Sequence, residues 1–342
     1  MLLLWDMTQG NNQMLQSCRA WIGCFLLGVV PASVAGEAEK SVDAWLKQMV
    51  QSVHTLSYEG TFVYLHNTQL ETMQIAHAAN GDQEQERIFS LNGAAREVIR
   101  SQNSVICVLP DAKSVSVMKH RKSDRRFPSV LPMNISRLSD YYELRLLGEA
   151  RIANREAVVI GVIPRDPLRY GYRLFLDVKH ALPLKTDTIN EEGEMVSQIM
   201  FTSLRVTPSL QTISPALHHG KGGYTWVHPK PAQEISVSAD ANWKFEQLPQ
   251  GFQLQARTRR PGSSSEKEME HFVFSDGLAT LSVYFEKADD GNGLHKASRM
   301  GAVNAFGTQI SGYQVTVVGE VPAETVRTVA NSIEYSLASS VQ

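Results

Sequence analysis

Three clusters of side chains in this 342-residue chain have types that could do chemistry. His218-His219 offers two imidazoles, but adjacent residues are poorly placed to share one metal ion. The pair therefore reads first as a solvated loop and second as a ligand pair. His120-Arg121-Lys122 with Arg125-Arg126 is a dense basic stretch after a strand pattern. It is either a solvated loop or a seat for phosphate or carboxylate groups. Arg165-Asp166 with Arg169-Tyr170 falls between two strand patterns. A turn with a local ion pair and the guanidinium-rich rim of a binding groove both fit, and the residues alone leave the choice open.

Recognised catalytic signatures are absent: no G-x-S-x-G, no H-E-x-x-H, no glycine-rich loop ending in Gly-Lys-Ser/Thr, and no paired C-x-x-C. Acidic residues are plentiful, yet no spacing singles out a general acid and base. The expectation is a binding protein and not an enzyme, with no catalytic residue, cofactor or metal ligand assigned. Thirty-three Lys and Arg against 35 Asp and Glu give a formal charge of -2, which supplies no electrostatic case for nucleic acid. Of three cysteines, Cys18 and Cys24 precede the folded part. Cys107 lies in the run Val105-Ile106-Cys107-Val108-Leu109, an interior strand by pattern. That run lacks the cationic neighbourhood a reactive thiol needs, so Cys107 is read as core packing.

The elements that must position these side chains begin after an export signal. Arg19, a short apolar run through Val30, Pro31, and small residues at Ser33 and Ala35 match a secretory leader cleaved after Ala35. Met14 is a plausible start. The run is too short to span a bilayer, and no later stretch is long enough, so a soluble exported product is expected. The expected division is a leader over 1–35, a large domain over 36–207, a linker over 208–223 rich in Pro, Gly and His, and a smaller domain over 224–342.

A helix is predicted from about 38 to 54, because Val42, Trp45, Leu46, Met49, Val50 and Val53 share one face. Tyr58, Gly60, Phe62 and Tyr64 alternate as a strand. Further strand patterns fall at 84–91, 94–100, 104–109, 114–119, 143–152, 156–163, 170–177, 182–189 and 194–206. Connections this short enforce antiparallel neighbours. One large curved sheet around the first helix is the natural architecture. The smaller domain carries strands near 234–239, 242–246, 251–260, 268–275, 278–286, 302–309 and 313–320. A last helix follows, with Val326, Val329, Ala330 and Ile333 on its face. The fold class is α+β, mainly antiparallel β: a large open half-barrel plus a smaller sheet with a helix.

Several segments resemble the RseB/MucB family. They are Tyr58-Glu59-Gly60-Thr61-Phe62-Val63-Tyr64, the stretch Pro164 to Asp177 closing at Pro183-Leu184-Lys185-Thr186, Phe274-Ser275-Asp276-Gly277-Leu278, Met300-Gly301-Ala302-Val303-Asn304 and Val321-Pro322-Ala323-Glu324-Thr325-Val326. The Pro164–Asp177 stretch is the most specific. The resemblance implies a periplasmic negative regulator of the envelope-stress sigma factor. Such a protein binds the periplasmic part of a membrane-spanning anti-sigma factor, shields it from regulated proteolysis, and is released by lipid or lipopolysaccharide. It also implies a half-barrel like that of lipoprotein carriers; a lipid or lipoprotein carrier is the alternative reading, and a hydrolase without recognisable motifs a third. A half-open sheet around one helix can hold an acyl chain. Trp45, Met49, Phe62 and Tyr64 are expected to line its interior, and Arg121, Lys122, Arg125 or Arg126 to meet an anionic head group. Arg165, Arg169 and Tyr170 are expected at a groove rim. Homo-oligomers remain open.

Overall fold

The first helix, α1 (Val42–Thr55), starts where Ser41 caps it, the hydroxyl accepting from Ala44 N–H at 3.2 Å. It buries Leu46, Met49, Val50 and Val53 along one face, each worth about 1.5–3 kcal/mol on transfer from water. The computed structural model describes residues 40–81, 83–119, 127–208, 223–228, 233–236, 242–261, 268–288 and 296–336. The leader over 1–35, the basic residues Arg121, Lys122, Arg125 and Arg126, and His218-His219 lie outside the described residues.

After α1 come β1 (Ser57–His66), β2 (Gln69–Asn80), β3 (Gln83–Ser90), β4 (Glu97–Arg100), β5 (Ser104–Leu109) and β6 (Ser114–Lys119). A short helix α2 (Leu138–Tyr141) leads into β7 (Tyr142–Ile152), β8 (Arg155–Pro164), β9 (Gly171–Asp177), β10 (Pro183–Ile189) and β11 (Met195–Thr207). With β12 (Thr225–Val227) they form one twelve-stranded sheet, ordered β12-β6-β5-β4-β3-β2-β1-β11-β10-β9-β8-β7. Within the runs β1 to β6 and β7 to β11 successive strands pair antiparallel, as expected, and the two runs join where β1 pairs with β11. The strand β2 is not among the sequence expectations. Only Met73, Ile75 and His77 of it are buried, among polar residues and alanines too weak in β-propensity to announce it. Beyond the 208–223 stretch, β12 pairs in parallel with β6, so the large sheet draws on chain from both sides of that stretch.

One helix faces two parts of this sheet. Leu46, Met49 and Val50 pack with Tyr142, Ile160, Val162, Tyr172 and Leu174, on the β7-β8-β9 side. One turn later Val53 packs with Tyr58, Phe62, Ile75 and Phe201, on the β2-β1-β11 side. A single sheet whose two parts both reach one stripe of the same helix must curve around it, and its end strands β12 and β7 do not pair with each other. The open, curved half-barrel follows. Gly60 allows a close layer here, because a Cβ would meet the Phe201 ring at 3.0 Å and the Ser203 carbonyl. Cys107 sits in β5, an inner strand, but is only half-buried, so it packs at the margin and not in the core.

The smaller sheet is ordered β13-β15-β16-β17-β20-β19-β18. Its strands are β13 (Gln233–Ile235), β15 (Gln253–Pro261), β16 (Glu268–Ser275), β17 (Thr280–Lys287), β18 (Ala297–Met300), β19 (Val303–Ile310) and β20 (Tyr313–Gly319). A two-stranded ribbon of β14 (Trp243–Phe245) and β21 (Ile333–Tyr335), with helix α3 (Ala323–Asn331), covers the core. Trp243 stacks on Phe285 with ring centroids 3.9 Å apart, and α3 buries Val326, Val329 and Ala330. Among the described residues no helix is long and apolar enough to cross a membrane.

Candidate functional site

The Pro164–Gly171 connection between β8 and β9 is short and polar, and it carries the two sheets' principal contact. Arg169 is 0% exposed. Its Nε and Nη2 donate to Asp166 at 3.1 and 2.9 Å, and Nη2 also donates to the Gln250 carbonyl at 2.8 Å. Its Nη1 donates to Asp276, on the β16–β17 turn of the smaller sheet. Asp276 is itself fully used. Its Oδ1 accepts from the N–H of Leu278 and Ala279 at 2.8 and 2.7 Å, and Oδ2 also accepts from the Tyr142 hydroxyl at 3.1 Å. The rings of Tyr141, Tyr142 and Phe252 lie 5.2–5.7 Å from the guanidinium. Burial pulls the Arg169 pKa down, but the Asp166 hydrogen bond and the charges of Asp276 and Asp166 outweigh it and raise the pKa. Burial and the Asp276 charge push the Tyr142 phenol far above its ordinary range, so it stays a donor.

Neighbouring contacts extend this joint. Asn304 donates to the Tyr170 hydroxyl at 2.9 Å and to the Val321 carbonyl at 2.7 Å. Thr325 Oγ1 donates to the Leu168 carbonyl at 2.9 Å, and Leu278 enters the large sheet's core. Gly251, at φ +88°, must be glycine, since a Cβ there would fall inside the Tyr141 ring. Arg169 and Tyr170, expected at a groove rim, are therefore buried joint residues. A guanidinium with three rigid acceptors around it is held, not displayed. Arg165, unlike them, is not buried. It is exposed beside a surface groove of about 560 Å³ whose walls include Leu147, Ile163 and Ile189.

The four expected interior residues separate. Met49 is buried and Trp45 half-buried against the β7-β8-β9 side, with the Lys40 Nζ 3.6 Å over the Trp45 ring. Phe62 and Tyr64 instead border a cavity of about 290 Å³, together with Met73, Phe127, Val130 and Ile199. The helix packs directly onto the sheet, and none of its residues lines this open volume. One wall is hydroxylic: Ser197 donates to Thr188 at 3.0 Å, both buried. Burial, then the charges of Glu320 and Glu71, raises the Tyr64 phenol pKa and keeps it protonated. Such a space accepts an apolar chain with room for one hydrogen-bonding group. Among the described residues no three His, Cys, Asp or Glu side chains are grouped to hold a metal.

Sequence reasoning missed Asp276, Tyr142, Asn304 and Thr325. Ser275-Asp276-Gly277 reads as an ordinary turn, and Asp276 does cap that turn with its Oδ1. Its second oxygen has no sequence signal. The strongest available hint is that Arg169 falls within the stretch of most specific resemblance.

Comparison with known proteins bears on both sheets. The family described as MucB/RseB N-terminal domain matches residues 41–217, and that described as MucB/RseB C-terminal domain matches residues 237–334. The sigma factor AlgU regulatory protein MucB of Pseudomonas aeruginosa is 33% identical over 313 residues, covering 90% of this chain and 95% of the relative. The sigma-E factor regulatory protein RseB of Escherichia coli K12 is 26% identical over 323 residues, covering 92% and 98%. Among solved structures, MucB in complex with MucA(peri) superposes with a TM-score of 0.65 at 30% identity, covering 87% of this chain and 100% of that one. The complex of Pseudomonas aeruginosa MucA and MucB gives 0.66 at 31% identity, covering 87% and 99%.

Proposed function

Because this chain belongs to the MucB/RseB family, we propose that it is a periplasmic regulator that binds the periplasmic part of a membrane-spanning anti-sigma factor and shields it from regulated proteolysis. The observation that carries this reading is the likeness, running through both sheets, to MucB bound to MucA(peri). A site confined to one sheet would not need a second one held in fixed register. On this reading the division is a leader over 1–35, a large lipid- or peptide-binding domain built on 36–207, and a smaller partner-binding domain over 224–342, whose first strand β12 joins the large sheet. Release follows when a lipid or lipopolysaccharide acyl chain enters the cavity beside Phe62 and Tyr64. The basic residues Arg121, Lys122, Arg125 and Arg126 serve the anionic head group, and Arg165 edges an outer groove.

The test uses mature protein from Gly36 onward and the periplasmic segment of the anti-sigma factor encoded by the same organism. Calorimetry is expected to show saturable binding, and the bound segment should resist the protease that cuts it when free. Absence of binding at tens of micromolar protein would reject the regulator. The 290 Å³ apolar cavity favours one other reading, a lipid carrier. A carrier would take up lipid and pass it to acceptor membranes without binding the anti-sigma segment.

A further inference from the structure

We infer that Arg169 is the latch of a fixed, all-or-none joint between the two sheets. The argument starts from the charge. Guanidinium stays protonated at any accessible pH, so Arg169 cannot escape burial by losing its proton. It is tolerated only where acceptors surround it. One aspartate comes from each side: Asp166 on the β8–β9 connection and Asp276 on the β16–β17 turn. Aromatic rings of Tyr141, Tyr142 and Phe252 form the rest of its surroundings. Rings cannot replace a carboxylate, so a small slip of one sheet over the other would leave Asp276 buried without its cation and Arg169 with one carboxylate in place of two. That is the costliest arrangement available. The sheets can sit in this register, or they can part completely and let water solvate both charges. Intermediate orientations are excluded. Asn304 with Tyr170, and Thr325 with Leu168, hold the same register through the residues that flank Arg169.

The experiment places a protease site within 229–232 of the full mature chain, after β12 and before β13, cleaves it, and follows the two pieces by size-exclusion chromatography over a dilution series. Cleaved wild type is expected to elute as one species at micromolar concentration. Arg169→Met, which leaves Asp276 buried without its cation, should weaken reassociation by about tenfold or more. Arg169→Lys keeps the charge but cannot bridge both carboxylates with its single nitrogen, and should weaken it similarly. Arg205→Ala, which removes an exposed pair with Glu59 outside the joint, should stay within about threefold of wild type. Pieces of wild type that separate at once would overturn the inference. So would an Arg169→Lys protein whose pieces hold as tightly as wild type. If Arg169→Met does not fold, the lysine variant still decides between latch and ordinary contact. The outcome does not depend on whether an anti-sigma segment binds.

Discussion

Around Arg169 the interior is polar and each charged atom meets a partner, whereas beside Phe62 and Tyr64 it is mostly apolar, with one hydroxylic wall, and leaves a half-open space of about 290 Å³. The two regions lie in the same sheet system and use the interior for opposite ends. Saturated polar contacts select one arrangement, since any departure strands a charge. Apolar contacts are tolerant, so space can be left beside Phe62 at modest cost. Orientation is thus written in ion pairs and capacity in hydrocarbon.

Substitutions can break that contrast, and the largest effect belongs to the joint. Asp276→Ala leaves Arg169 buried with one carboxylate and is expected to cost about 3–5 kcal/mol in urea unfolding. A loss under about 1 kcal/mol would mean that water reaches the guanidinium. Tyr142→Phe removes one donor to the same carboxylate and should cost about 1.5–3 kcal/mol by the same measurement.

An acid titration sharpens the comparison at a third site. Asp177 is 3% exposed; burial raises its pKa, but hydrogen bonds from Arg155 at 3.0 and 2.9 Å and from His180 outweigh this and hold its carboxyl below the usual carboxylate range. A carboxyl depressed in the folded state stabilises above its unfolded pKa, and that contribution disappears as pH falls through the folded value. Stability should therefore fall from about pH 4 downward. Arg155→Met should flatten that acid limb in thermal melts taken at successive pH values.

At the cavity the expected change in stability is smaller and the change in binding larger. Val130→Phe grows into open volume and should shift stability by less than about 1.5 kcal/mol. It should nevertheless abolish any rise in affinity with acyl-chain length, read by displacement of a fluorescent fatty acid. Retained chain-length dependence would place the lipid elsewhere. Smallest of all is Arg205→Ala, which removes an exposed pair with Glu59 at 2.5 Å and should change stability by at most about 0.5 kcal/mol.

The comparison also separates what could be read from the chain before folding. Alternation located β5 and β6 over the predicted 104–109 and 114–119, and the three-and-four spacing of Leu46, Met49, Val50 and Val53 located α1 and its buried face. Both depend on neighbours within a few residues. Phe62 and Tyr64 were legible as inward-facing for the same reason, though not as the border of an open space. Trp45 and Met49 share their polarity and fill a different cluster. Pattern reports which side of an element is apolar; it does not report what stands opposite.

Local chemistry alone determined the mainly antiparallel architecture, the first and last helices, the turn at Ser275-Asp276-Gly277, and the presence of a guanidinium-rich connection after β8. Only the tertiary structure decided that Arg165 stays exposed while Arg169, four residues on, is fully buried. The physical reason is distance along the chain. Asp276 stands 107 residues from Arg169, and a charge can be buried only where a partner of opposite sign arrives. No window of sequence around Arg169 contains that partner, so its burial belongs to the fold.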